Sequence, residues 1–180
     1  MRVSLKAGSS CYSSPIVPQR RFHLCLWMMS LVMICVSWGC TPTFVKGTEI
    51  DYTPEKQEVA DFIERYRQAI EQRDFNTLKD MVSSNYYENG STTSDPSDDY
   101  DFAGFLKILN DMSQTIKAVK YTIKINNIEV MKSSAAVDLE YSGQYLFTHH
   151  EQDRWETYAD KNRITLGKNK LGHWKIMSGL

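Results

Sequence analysis

Apolar positions recur at two different periods along this chain, and the change falls near residue 115. Thr53-Pro54-Glu55 reads as a helix start: a capping hydroxyl, a proline at the first helical position, and an acid at the positive end of the dipole. Val59, Phe62, Ile63, Tyr66 and Ile70 follow at three- and four-residue spacing, forming one apolar stripe with Ala69 beside it. Asp74 caps a shorter second helix with Leu78, Met81 and Val82 on one side. Asn85-Tyr86-Tyr87-Glu88 is a brief extended piece ended by Asn89-Gly90, and residues 90–101 form a polar, acidic loop. A third helix presents Phe102, Phe105, Leu106, Leu109 and Met112.

Beyond it the period becomes two. Val119, Tyr121, Ile123 and Ile125 alternate with Lys120, Thr122 and Lys124, a strand with one wet face. Asn126-Asn127 marks a bulge or turn before Ile128 and Val130. Ala135 to Phe147 alternate over a long strand, residues 154–167 make another, and Lys168 to Gly172 turn the chain into a last strand at residues 173–177. Helices first and antiparallel strands last argue an α+β domain, with helices on one face of a curved sheet. The expected core holds Val59, Phe62, Ile63, Phe105, Leu109, Leu139, Ile164, Trp174 and Ile176.

Composition narrows the classes. The chain has 180 residues, 42% hydrophobic and 24% charged, enough for one domain with a real core. Residues 1–39 hold four of the 21 Lys/Arg and none of the 22 Asp/Glu, so the remainder is near −5 without a basic cluster. Nucleic acid is therefore not expected as a partner. The cysteines, Cys11, Cys25, Cys35 and Cys40, all precede the domain, which excludes a disulfide framework or a thiolate metal site within it.

Arg20-Arg21, an apolar run from Phe22 to Gly39, and then Cys40 follow the plan of a secretory signal. Ser37-Trp38-Gly39-Cys40 resembles the end of a bacterial lipoprotein signal at Gly39 and Cys40, and departs from it at Ser37 and Trp38. The resemblance implies that Cys40 is lipidated. Residues 1–39 are then a targeting segment, 40–52 a tether and 53–180 the domain, held on the cell membrane or outer membrane and facing away from the cytoplasm. Two alternatives stay open: an uncleaved single-span anchor with Arg20 and Arg21 on the cytoplasmic side, and a true start downstream of residue 1.

Phe62 to Leu78, with its Arg73-Asp74 helix break, resembles the opening of the nuclear transport factor 2-like superfamily, which includes SnoaL-like and ketosteroid isomerase-like domains. Gly172-His-Trp-Lys-Ile-Met-Ser-Gly179 is similar to that superfamily's last strand. The resemblance covers residues 55–179 and implies a cone, its sheet wrapped on the N-terminal helices with a pocket at the open end. The superfamily includes isomerases, cyclases, epoxide hydrolases and members without a catalytic role.

Tyr66 stands where ketosteroid isomerases carry the tyrosine that donates to the developing oxyanion. The place of their carboxylate base falls at Gly90, and that of their second acid near Asn162 or Ile164, so the isomerase set is incomplete. The side chains expected at the mouth are Tyr66, Tyr86, Tyr141, Tyr158, Asp160 and Asn162. They suit a mostly apolar ligand with one or two hydroxyl or carbonyl groups. His149-His150-Glu151-Gln152-Asp153 reads as a solvated hairpin turn rather than a metal site. The acidic loop with Asp95, Asp98, Asp99 and Asp101 lacks the glycine and glutamate of a calcium loop. No metal or cofactor is expected. The resulting expectation is an envelope lipoprotein domain, with a homodimer left open, that binds a small apolar ligand or a protein partner without turnover. The alternative is an isomerase, cyclase or hydrolase acting on a lipid-like or polyketide-like substrate.

Overall fold

The computed structural model describes residues 43–90, 96–149 and 152–180, with the side chain of residue 149 left aside. The targeting segment and Cys40 lie outside the described residues, as do Asp95, His150 and Glu151. Among the described residues no helix is long and apolar enough to cross a membrane.

Residues 43–52 form a small hairpin, where the sequence suggested a tether. Phe44 bridges Asp51, the Val45 N–H donates to Ile50 O at 2.9 Å, and Gly47 supplies the left-handed turn residue at φ 78°. Val45 is 1% exposed, so this segment belongs to the core. Helix α1 (Pro54–Glu71) starts as expected, with Thr53 Oγ1 accepting the Lys56 N–H, and buries its stripe from Val59 to Ile70. Arg73 turns the chain at φ 55°, and its guanidinium donates to the carbonyls of Lys117 and Ser113. Asp74 caps α2 (Phe75–Met81), accepting from the Thr77 N–H at 3.0 Å. After strand β1 (Tyr87–Glu88) and a short 3₁₀ turn at Pro96–Asp98, β2 (Tyr100–Asp101) leads into α3 (Phe102–Thr115), which Asp101 caps.

Strands β3 (Ile116–Val130), β4 (Ser134–His149), β5 (Gln152–Lys168) and β6 (Trp174–Ser178) form an antiparallel sheet in that order. The register of β3 shifts between Ile125 and Asn127, so Asn126-Asn127 is a bulge within one strand rather than a turn. All nine expected core residues are buried.

The cone is not observed. β1 and β2 pair only with each other, the main sheet has four strands, and neither sheet closes or curls strongly. Wrapping would require edge strands long enough to bring the two ends of the sheet together. β6 has five residues and pairs only with Thr165–Lys168, while β1 has two. The helices therefore lie on one face of an open sheet, with α1 against β3.

Candidate functional site

The cavity between the three helices and the inner face of the sheet has a volume of about 200 Å³. Ile70 and Leu78 come from α1 and α2, Phe105 and Leu109 from α3, and Leu139 and Ile164 from the sheet. Helical spacing in the first half and alternation in the second aim these apolar groups at one volume. Oxygens enter it mainly through phenols: Tyr66 from α1, Tyr100 from β2, Tyr121 from β3, and Tyr141 and Tyr145 from β4, with the amide of Asn162 from β5.

Burial pushes the phenols of Tyr66 and Tyr121 well above their ordinary range, because phenolate is poorly solvated there. Burial, with the Tyr141 and Tyr158 hydroxyls nearby, pushes Tyr145 up to about 12. At neutral pH these groups are protonated and act as donors. The Tyr66 and Tyr121 phenols lie close enough in the cavity lining for each to influence the other. The Tyr121 and Tyr141 rings stack with centroids 5.7 Å apart, which fixes the cluster from the sheet side.

One wall is made by the residues after β6. Glu88 Oε2 accepts the N–H of Gly179 at 2.5 Å and of Leu180 at 3.2 Å. Asn162 Nδ2 donates to Gly179 O at 3.0 Å, and Tyr100 Oη donates to Leu180 O at 2.6 Å. Gly179 runs at φ 93° against the Arg163 carbonyl, where a Cβ would collide.

Of the six side chains expected at the mouth, Tyr66, Tyr141 and Asn162 line this cavity. Tyr86 is buried beside it, its hydroxyl donating to Glu88 Oε2 at 2.8 Å. Tyr158 and Asp160 are exposed. They share the inner face with Gly143 and Tyr141, opposite which they pair, on the part of β5 that β6 does not reach. Sequence reasoning missed Tyr100, Tyr121, Tyr145 and Leu180. Tyr121 and Tyr145 carried a usable signal, since both alternate in step with inward residues. Asp99 and Asp101 of the acidic loop have structural partners: Asp99 accepts from Tyr87 Oη and the Gly90 N–H, and Asp101 caps α3. Among the described residues no group of three His, Cys, Asp or Glu side chains is placed to hold a metal.

Residues 55–178 match the family of the calcium/calmodulin-dependent protein kinase II association domain, and the chain belongs to that family. A search of curated protein sequences gives no significant match. Solved structures supply the wider class, the nuclear transport factor 2-like fold. A conserved protein from Planctomyces limnophilus aligns with a TM-score of 0.60 at 10% identity, over 69% of this chain and 92% of its own. A candidate dehydratase of the nuclear transport factor 2-like family from Streptomyces avermitilis gives 0.57 at 11% identity, over 71% and 95%. A ketosteroid isomerase-like protein from Erwinia carotovora gives 0.56 at 12% identity, over 71% and 95%. At these identities the likeness is one of fold. The expectation of binding without turnover is nevertheless corrected. Dehydratase, isomerase-like and aromatic ring hydroxylase are names that several of these similar structures bear, so the missing carboxylate at Gly90 does not set this domain apart as non-catalytic.

Proposed function

We propose that the domain binds a small, mostly apolar molecule carrying a carbonyl or hydroxyl oxygen and promotes a reaction in which negative charge develops on that oxygen. The observation that carries this reading is the pair of neighbouring phenols, Tyr66 and Tyr121, kept protonated by burial in the lining of an apolar cavity. Neighbouring phenols in a low-dielectric site polarise each other. A preorganised donor in a water-poor site stabilises an oxyanion far better than water does. Isomerisation and dehydration next to a carbonyl are the reaction classes that use such a donor. The lining residues include no carboxylate or imidazole, so the proton next to the carbonyl leaves to water or a buffer base and the protein's part in this chemistry is to hold and polarise the substrate.

Size selects the substrate further. An apolar cavity of roughly 150 Å³ already accepts benzene. About 200 Å³ therefore suits a compound of one or two rings and is small for a steroid or a long acyl chain. The test is a panel of small cyclic ketones and hydroxyketones, followed by proton exchange next to the carbonyl. Exchange that is present in wild type and lost in Tyr66→Phe supports the reading. Exchange equal in both proteins overturns it.

A second reading rests on the family's name, which speaks of association. In that reading the domain brings chains together, and the exposed aromatic side chains of β5 favour it. Lipidation at Cys40, with the domain held on the outer side of a membrane, completes the proposal; the apolar run ending at Gly39-Cys40 supports it.

A further inference from the structure

The far side of β5 is where the fold leaves backbone unpaired. β6 covers only Thr165–Lys168, and Gly179 lies against Arg163. Residues 152–161 thus pair with β4 on one side and, among the described residues, with no strand on the other. Trp155 and Tyr158 stand on this stretch, 45% and 52% exposed. Edges in this condition invite another strand unless charge guards them.

The charges on this edge are self-complementary. A two-fold axis normal to the sheet keeps inner and outer faces matched, so only registers that pair residues of the same parity are allowed. With Thr157 opposite its own copy, Glu156 faces Tyr158, Trp155 faces Ala159, Arg154 faces Asp160 and Asp153 faces Lys161. The next register in one direction sets Glu156 against Asp160, and the next in the other sets Glu156 against itself. Within the chain Asp153 pairs with Lys117 and Lys161 with Glu140, whereas Arg154 and Asp160 have no ion-pair partner among the described residues. The Thr157 register gives both of them one.

We propose that two copies of this chain join through the free edge of β5 about an axis at Thr157, making one continuous antiparallel sheet from two four-stranded ones. This rests on the association reading and names its partner, surface and register.

The test is sedimentation equilibrium on the full-length chain in non-ionic detergent. Wild type is expected to dimerise reversibly. Asp160→Arg and Arg154→Asp each place like charges opposite each other twice per dimer, and should weaken it about tenfold or more. The double reversal, Arg154→Asp with Asp160→Arg, should restore it. Under mild oxidation Thr157→Cys should give a disulfide between two copies of the peptide holding residue 157, read by mass spectrometry. A chain that stays monomeric at about 100 μM overturns both this proposal and the association reading. A dimer that ignores the single reversals, is not rescued by the double one, or yields no residue-157 cross-link overturns the β5 edge and leaves association standing. Circular dichroism checks that each variant is folded. If one single reversal misfolds, the other, with the double variant and the cross-link, decides.

Discussion

Glu88 Oε2 accepts the backbone N–H of Gly179 at 2.5 Å, across 91 residues of chain. The same oxygen accepts from Tyr86 Oη and from the Leu180 N–H. One carboxylate oxygen thus ties the end of α2's following segment to a wall of the cavity. Glu88→Gln should lower stability by about 1–2 kcal/mol, since hydrogen bonds to a charged acceptor are the stronger kind. Hydrogen exchange at Gly179 and Leu180 should accelerate more than in α1. Unchanged exchange there would show that other groups hold the wall.

Tyr66→Phe removes one of the two neighbouring phenol donors that line the cavity. Binding of a small fluorescent aromatic ketone should weaken about three- to tenfold, the worth of one hydrogen bond. Tyr121→Phe should also weaken it, because its hydroxyl lines the same cavity. Equal losses would place both phenols in direct contact with the ligand.

Alkaline pH should unfold the domain through its buried phenols. Tyr66, Tyr121 and Tyr145 ionise in the folded state only above their ordinary value near 10. Their contribution is fully present below pH 10 and is lost as pH rises toward about 12 for Tyr145 and higher for the other two. Each phenol that titrates only on unfolding steepens the loss by about 1.4 kcal/mol per pH unit. Urea midpoints measured from pH 9 upward, alongside phenolate absorbance, check this. Tyr66→Phe should give a shallower decline.

Val45→Ala should cost about 2 kcal/mol, the usual price of a small buried cavity. Removing residues 1–52 should destabilise the domain relative to removing residues 1–42, because only the first deletion strips Val45 from the core. Equal urea midpoints for the two truncations would show that the hairpin contributes nothing.

Cys40→Ala should abolish fatty-acid labelling of the chain in cells and release it from the membrane fraction. Labelling that persists would rule out Cys40 as the acceptor.

The three helices, the three long strands and the short last one were legible because each carries one clean period, and burial of Val59, Phe105, Leu139 and Trp174 follows from it. Tyr66 was legible because it stands in the stripe of α1. The hairpin at residues 43–52 was not, since a single buried valine beside Thr41-Pro42-Thr43 makes no pattern. Tyr158 and Asp160 were given the correct face and the wrong surroundings. Alternation tells which side a residue takes, but whether a helix covers it depends on how far the strands outrun the helices. Sheet curl was out of reach for the same reason: it depends on how much of β5 the short β6 pairs with, which no local sequence signal states.

The wall formed by Gly179 and Leu180 also bears on how the domain assembles. The Leu180 N–H meets Tyr86 Oη over 94 residues, and Tyr100 meets Leu180 O over 80. Contacts this distant in sequence are entropically expensive and form late. On refolding, helical signal should return before the cavity can hold a guest, and a guest that fits should act on the final docking step, slowing its reversal rather than speeding the early collapse. Occupancy would then set how long the finished domain lasts, and a cell short of the guest would turn the protein over faster.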